Sequence, residues 1–177
     1  MKRSSLNSHL LYVYANEVDR LKLIINYIKE GLAKNELCVL SIPESSKRIK
    51  ARFKDAGVDF NEAINKGNLR IFHKNQIYQS MDTFTSAYMI NNLKDFIKEA
   101  KHLGYSGLRT VGDMGWVKNS NDSLSEIQRY ETAVNSIDGG IAFSGLCLYP
   151  LEMTDNAVFK SIASSHPEVM TCGQEAS

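Results

Sequence analysis

Five short apolar segments recur along the chain, and helical periodicity follows each one. The strand-like runs are HLLYVYA (9–15), ELCVLSIP (36–43), LRIFHK (69–74), GLRTVGDM (107–114) and IAFSGLCLYP (141–150). Strict alternation of strand and helix predicts a parallel sheet covered by helices on both faces. The expected fold is therefore an α/β three-layer sandwich with a mainly parallel central sheet of at least five strands. At 177 residues, with no repeat or linker, the chain reads as one domain with its core at about 9–170.

The intervening helices carry their own signals. Asn16 is a good N-cap, with Glu17 and Asp19 in the first turn and Val18, Leu21, Ile24, Ile25, Ile28 and Leu32 at helical spacing. ESSKRIKARFKDAG reads as a short, mostly exposed helix ending at Gly57, and VDFNEAINKGN as a loop with one helical turn. A long helix is predicted over about 78–103, with a stripe of Ile77, Met81, Phe84, Tyr88, Phe96, Ala100 and Leu103, ended by Gly104. VKNSND is a polar loop, and the helix after it opens on a capping box, Ser123 to Glu126. TDNAVFKSIASS is the last helix, and HPEVM begins an extended tail.

Several function classes are excluded on composition. The formal net charge of +1 gives no footprint for direct nucleic-acid binding, and the basic run SSKRIKARFK (45–54) reads as the solvated face of a helix. Three widely spaced cysteines suggest no disulfide framework, and no clustered Cys/His spacing suggests zinc, so neither metal nor cofactor is expected. The short apolar N-terminal run is no convincing signal peptide, and no run reaches membrane-spanning length; a cytoplasmic, membrane-free protein is expected.

Ligands of parallel sheets bind at the carboxyl ends of strands. Those ends hold Tyr14 to Asn16, Ile42 to Glu44, His73 to Asn75, Asp113 to Trp116, and Tyr149 to Pro150. Asp113, Met114 and Trp116 thus face a crevice, unless Trp116 only lids the core and Asp113 caps a loop. Arg109 lies deeper in its strand and requires a partner. Glu131, four after Ile127 and three before Val134 on an apolar helix face, is the expected mate, either to fix strand against helix or to present the guanidinium to a ligand. Cys147 reads as a small buried hydrophobe, and His9 and His166 as capping or satisfied histidines. A His–Cys or His–Glu site assembled in three dimensions stays open.

The first strand–helix junction, YVYANEVDRL, has neither the glycines nor the lysine that cradle phosphate, and Glu17 and Asp19 at the helix N-terminus would repel it. No GxGxxG or GxSxG motif occurs.

Several stretches together resemble the MEDS family, the methanogen/methylotroph DcmR-type sensory domain. They are the His9 strand, IKEGLAKNELCVL (similar to the family's "GL…GE.C" turn), AGVDFNEAINKGNLRI, GLRTVGDMGW, RYE, LCLY and HPEVM, and their order and spacing carry the likeness from His9 to about Gly173. The resemblance implies a RecA/KaiC-like, P-loop-type core that has lost its phosphate loop. It also implies sensing of small molecules such as hydrocarbon derivatives, often alongside signalling or DNA-binding modules. Where the family commonly carries glutamate in the fourth-strand motif, this chain has Asp113.

The leading expectation is thus a non-enzymatic small-molecule sensor for one-carbon or hydrocarbon derivatives. Its ligand would lie near Asp113, Met114, Trp116 and Tyr149, supported by Arg109 and Glu131, with His9, Cys147 and His166 as further candidates. No helix-turn-helix or kinase module is recognisable, so output is expected through a signalling partner protein; self-association is a further expectation. The alternatives are a degenerate RecA-like nucleotide-binding protein, a protein-interaction module and, last, an enzyme using Cys147, Glu131 or a histidine.

Overall fold

The computed structural model describes residues 7–43, 46–77, 84–119, 124–155 and 157–171. Six strands form one sheet: β1 (Asn7–Tyr14), β2 (Leu37–Ile42), β3 (Leu69–His73), β4 (Gly107–Asp113), β5 (Ala142–Pro150) and β6 (Glu168–Thr171). Their order is β3-β2-β4-β5-β1-β6, and every pairing is parallel. β2 lies inside the sheet and is buried at all six positions, as its unbroken apolar run requires. The sixth strand corrects the reading of HPEVM as a tail. The segment is extended, but Glu168 to Thr171 pair with Leu10 to Val13 along the outer side of β1. Four residues at a half-exposed edge carry too weak an apolar pattern to announce a strand.

Alternate side chains along each strand enter two separate cores. On one face, α1 (Glu17–Ala33), α2 (Ser46–Asp55) and α3 (Phe60–Asn65) cover Tyr12, Leu40, Val111 and Leu148. On the other, α5 (Ser86–His102), α6 (Leu124–Val134) and α7 (Ala157–Ser164) cover Val13, Val39, Leu108 and Tyr149. A single turn, α4 (Lys74–Ile77), follows β3. These are called the α1 face and the α5 face below.

One helix expectation is corrected. Of the long helix predicted over 78–103, the described part is α5 alone, and Phe84 and Thr85 before it are not helical. α5 starts only at Ser86, capped by the Thr85 side chain, which accepts from Tyr88 N. Residues 78–83, with Met81, lie outside the described residues. The buried face of α5 is Met89, Leu93, Ile97 and Ala100; Tyr88 and Phe96 flank it half-buried, and Leu103 is exposed. The capping box expected on α6 involves Ser123, which lies outside the described residues; Glu126 reaches across to α5 and accepts from both Ser86 N (3.0 Å) and Ser86 Oγ (2.9 Å).

α1 ends in a Schellman turn: Glu36 N donates to Gly31 O (2.9 Å) and Asn35 N to Leu32 O (3.2 Å). Asn35 takes the left-handed conformation this turn needs, at φ 57°. The turn aims Glu36 back under α1. Among the described residues no helix is long and apolar enough to cross a membrane.

Candidate functional site

Arg109 and Asp113 both point to the α1 face, because they share parity with Val111 on β4. Arg109 donates through Nε to Glu36 Oε2 (2.5 Å) and through a terminal nitrogen to Glu30 Oε2 (3.3 Å) and Tyr27 O (3.2 Å). Its guanidinium also lies 4.4 Å over the Tyr27 ring. Glu131 sits on α6, on the opposite side of the sheet. The expected Arg109–Glu131 pair is therefore wrong. Helical spacing placed Glu131 on a buried face, but strand parity sends Arg109 away from it. Asp113 accepts from Arg20 (2.5 Å) and from Gly115 N (2.9 Å), and Arg20 also stacks on Tyr14 at 5.5 Å. Both acid–base pairs join α1 to the sheet. Burial, then the Asp113 carboxylate, push the Tyr14 hydroxyl up to about 12.

Met114 and Trp116 enter the apolar core of the α5 face. Met114 is fully buried, and the Trp116 ring packs 5.7 Å from Phe84. Tyr14 to Asn16 open α1 with a self-contained cap, Asp19 N donating to Asn16 Oδ1 (3.0 Å).

Glu131, Tyr149, Cys147, His9 and His166 come together on the α5 face in one buried polar cluster. Each arrives from a different part of the chain or strand position. His9 and Cys147 stand on neighbouring strands, where Leu11 pairs with Cys147 and His9 with Gly145. Glu131 reaches in from α6, and His166 from the turn between α7 and β6. The Glu131 carboxylate is wholly buried. Its Oε1 accepts from the Tyr149 hydroxyl (2.5 Å), and its Oε2 from Cys147 Sγ (3.4 Å). The same Oε2 lies 3.2 Å from His9 Nε2 and 3.4 Å from His166 Nε2. Burial pushes Glu131 up, but His166 and His9 outweigh it and hold the carboxyl well below the usual range. Burial and that carboxylate push the Cys147 thiol and the Tyr149 hydroxyl well up.

Both imidazoles are fixed from behind. His166 Nδ1 is 2.9 Å from Ile162 O, so it donates there and presents Nε2 to the cluster. His9 Nδ1 is 3.0 Å from Asn135 Oδ1, whose amide nitrogen is held by Ser165 O. The ring centroids lie 4.0 Å apart, with the planes tilted by 37°.

A small cavity of about 40 Å³ adjoins the cluster beneath α5, over the carboxyl halves of β2 and β4. Met89, Leu93 and Phe96 supply its apolar wall, while Ser41, Asn92 and Thr110 supply polar groups. Ser41 Oγ is buried without a hydrogen-bond partner among the described residues. Cys147 belongs to both cavity and cluster.

Sequence reasoning named every member of the cluster but not its unity. The available signal was parity: His9 shares it with Leu11, and Cys147 with Tyr149. Ser41, Asn92 and Thr110 escaped altogether, because single polar residues in apolar segments have no spacing to betray them.

Comparison with known proteins gives two findings. Residues 8–167 match the model of the family described as MEDS, the MEthanogen/methylotroph, DcmR Sensory domain. Over 164 residues, 92% of its length, the chain is 26% identical to the transcriptional repressor DcmR of Methylorubrum extorquens (strain DSM 6343 / CIP 106787 / DM4). It spans 59% of that relative's length.

Proposed function

The chain belongs to the MEDS family, and we propose that it is a non-enzymatic sensory domain that binds a small organic molecule beneath α5. The cavity beside Ser41 carries this reading. At about 40 Å³ it exceeds what one water needs yet admits only a few non-hydrogen atoms. That size suits one-carbon or short hydrocarbon derivatives. The mix of apolar wall and few polar groups is how small-molecule sites are built, and the unpaired Ser41 hydroxyl offers a ligand a hydrogen bond. The ligand position thus moves from Trp116 and Asp113, both committed to packing and pairing, to the neighbourhood of Ser41 and Cys147.

The absence of catalysis rests on the same chemistry. A reactive cysteine needs a lowered pKa, whereas burial and Glu131 raise that of Cys147. A RecA/KaiC-like ancestry belongs to this proposal, supported by the all-parallel order in which β5 and β6 flank β1. The self-capped start of α1 speaks for loss of nucleotide binding. Output would pass to a signalling partner through a ligand-biased conformation.

Binding to the folded state raises the melting midpoint by mass action. A thermal-shift panel of methanol, formate, dichloromethane and short alcohols, with ATP and cyclic nucleotides alongside, is expected to give a rise with one organic compound. Ser41→Val, which fills the cavity's polar side, should abolish that rise. A rise with nucleotide alone would replace this reading with the degenerate nucleotide-binding one. No rise with any compound would favour a protein-interaction module.

A further inference from the structure

We propose that His9, Glu131, Cys147 and His166 bind one divalent transition-metal ion of the zinc class. The site does not depend on whether the neighbouring cavity takes a ligand, and it departs from the expectation of no metal drawn from sequence spacing.

The first argument is the donor set. One ligand atom from each of the four buried residues lies within 4.8 Å of the others. Two imidazole nitrogens, one sulfur and one carboxylate oxygen suit zinc or a zinc-like ion. Calcium and magnesium, which ask for six or more oxygens, do not fit.

The second argument is size. A tetrahedral ion with bonds of about 2.0–2.3 Å separates its ligand atoms by roughly 3.3–3.8 Å. The observed edges are 3.2 Å for His9 Nε2 to Glu131 Oε2 and 3.4 Å for His166 Nε2 to the same oxygen. Cys147 Sγ stands 3.4 Å from His9 Nε2 and 3.4 Å from Glu131 Oε2. The other two edges, from His166 Nε2 to His9 Nε2 and to Cys147 Sγ, lie within 4.8 Å.

The third argument is hydrogen bonding. Both Nδ1 atoms are engaged outward, by Ile162 O and by Asn135 Oδ1, so both Nε2 atoms face Glu131 Oε2. His166 Nε2 is buried and makes no hydrogen bond among the described residues. Two imidazole nitrogens and the thiol thus converge on one carboxylate oxygen. A single cation satisfies both nitrogens, the oxygen and the sulfur. Tyr149 meanwhile occupies Glu131 Oε1 and leaves Oε2 for the ion. Such partners behind the ligands are what orient a metal site. On binding, the Cys147 thiol forms a metal–sulfur bond and releases its proton to solvent.

The test is titration of the metal-stripped full chain with Co²⁺ alone, followed by absorption. The expected result is saturation at one equivalent, with strong visible bands of a tetrahedral ion and a near-ultraviolet thiolate-to-cobalt band, both displaced by Zn²⁺. Cys147→Ser should lose the thiolate band and bind at least about 10-fold more weakly. Cys38→Ala, on the α1 face, should keep both features. If Cys147→Ser fails to fold by circular dichroism, His166→Gln serves in its place, keeping the thiolate band with weakened affinity. Absence of these bands in the wild type, or a thiolate band that survives Cys147→Ser, overturns the proposal.

Discussion

Gly31 is buried in the last turns of α1, where an added methyl would stand 2.6 Å from Arg109 Cδ and 2.8 Å from Cys38 Sγ. In a helix interior, Gly→Ala ordinarily gains roughly 0.5–1 kcal/mol. Here the obstructing atoms are pinned by the Glu36 and Glu30 carboxylates, and overpacking costs about 1–3 kcal/mol. Gly31→Ala is therefore expected to destabilise the fold in chemical denaturation; a stabilised variant would refute this view of the Arg109 clasp. Ser41 should behave in the opposite way. A buried hydroxyl without a partner costs about 1–3 kcal/mol, so Ser41→Val should stabilise by about 1 kcal/mol while weakening ligand binding. A fall in denaturation midpoint would show that the hydroxyl is satisfied. These residues also mark the limit of what was legible. Arg109 announced that it needed a carboxylate, and helical spacing offered only Glu131. Only the parity of β4 and the turn at Asn35 decide for Glu36.

Among the elements, β1 to β5 were plain in the sequence because each is an apolar run beside helix signals. β6 was not, since its order comes from pairing with β1 and not from its own composition. α5 was legible in existence but not in face. Its aromatic residues, Tyr88 and Phe96, lie at the rim of the buried stripe and pulled the reading one position away from Met89 and Ile97. Glu126 explains how α5 starts: a carboxylate on α6 caps it, and that contact holds the acid below its ordinary range. Glu126→Gln should leave the global fold intact and speed amide exchange at Ser86. Unchanged exchange there would show that Thr85 alone caps the helix.

At the scale of the whole molecule, Glu30, Glu99 and Glu126 are all held below the usual carboxylate range. Lys34 and Arg109 act on the first, Arg70 on the second, and Ser86 and Arg129 on the third. Depressed acids contribute stability above the unfolded value, about 4.3, and lose it as pH falls through the folded value. The melting midpoint should hold at pH 6 and drop on acidification below roughly pH 4. A midpoint that rises in acid would contradict that sign. The α/β class was legible because it needs only the order of elements. The five-residue cluster was not, since its members meet only when the sheet has closed. That closure has a consequence for synthesis. His9 leaves the ribosome long before His166, the ring it lies against, which follows 157 positions later. Strands β2 to β5 can settle while the chain is still growing, but the buried Glu131 must wait, half-surrounded, until the last turn arrives. A chain interrupted before His166 would carry an almost complete sheet around an unshielded carboxylate, a ready mark by which quality control could tell a fragment from a finished domain.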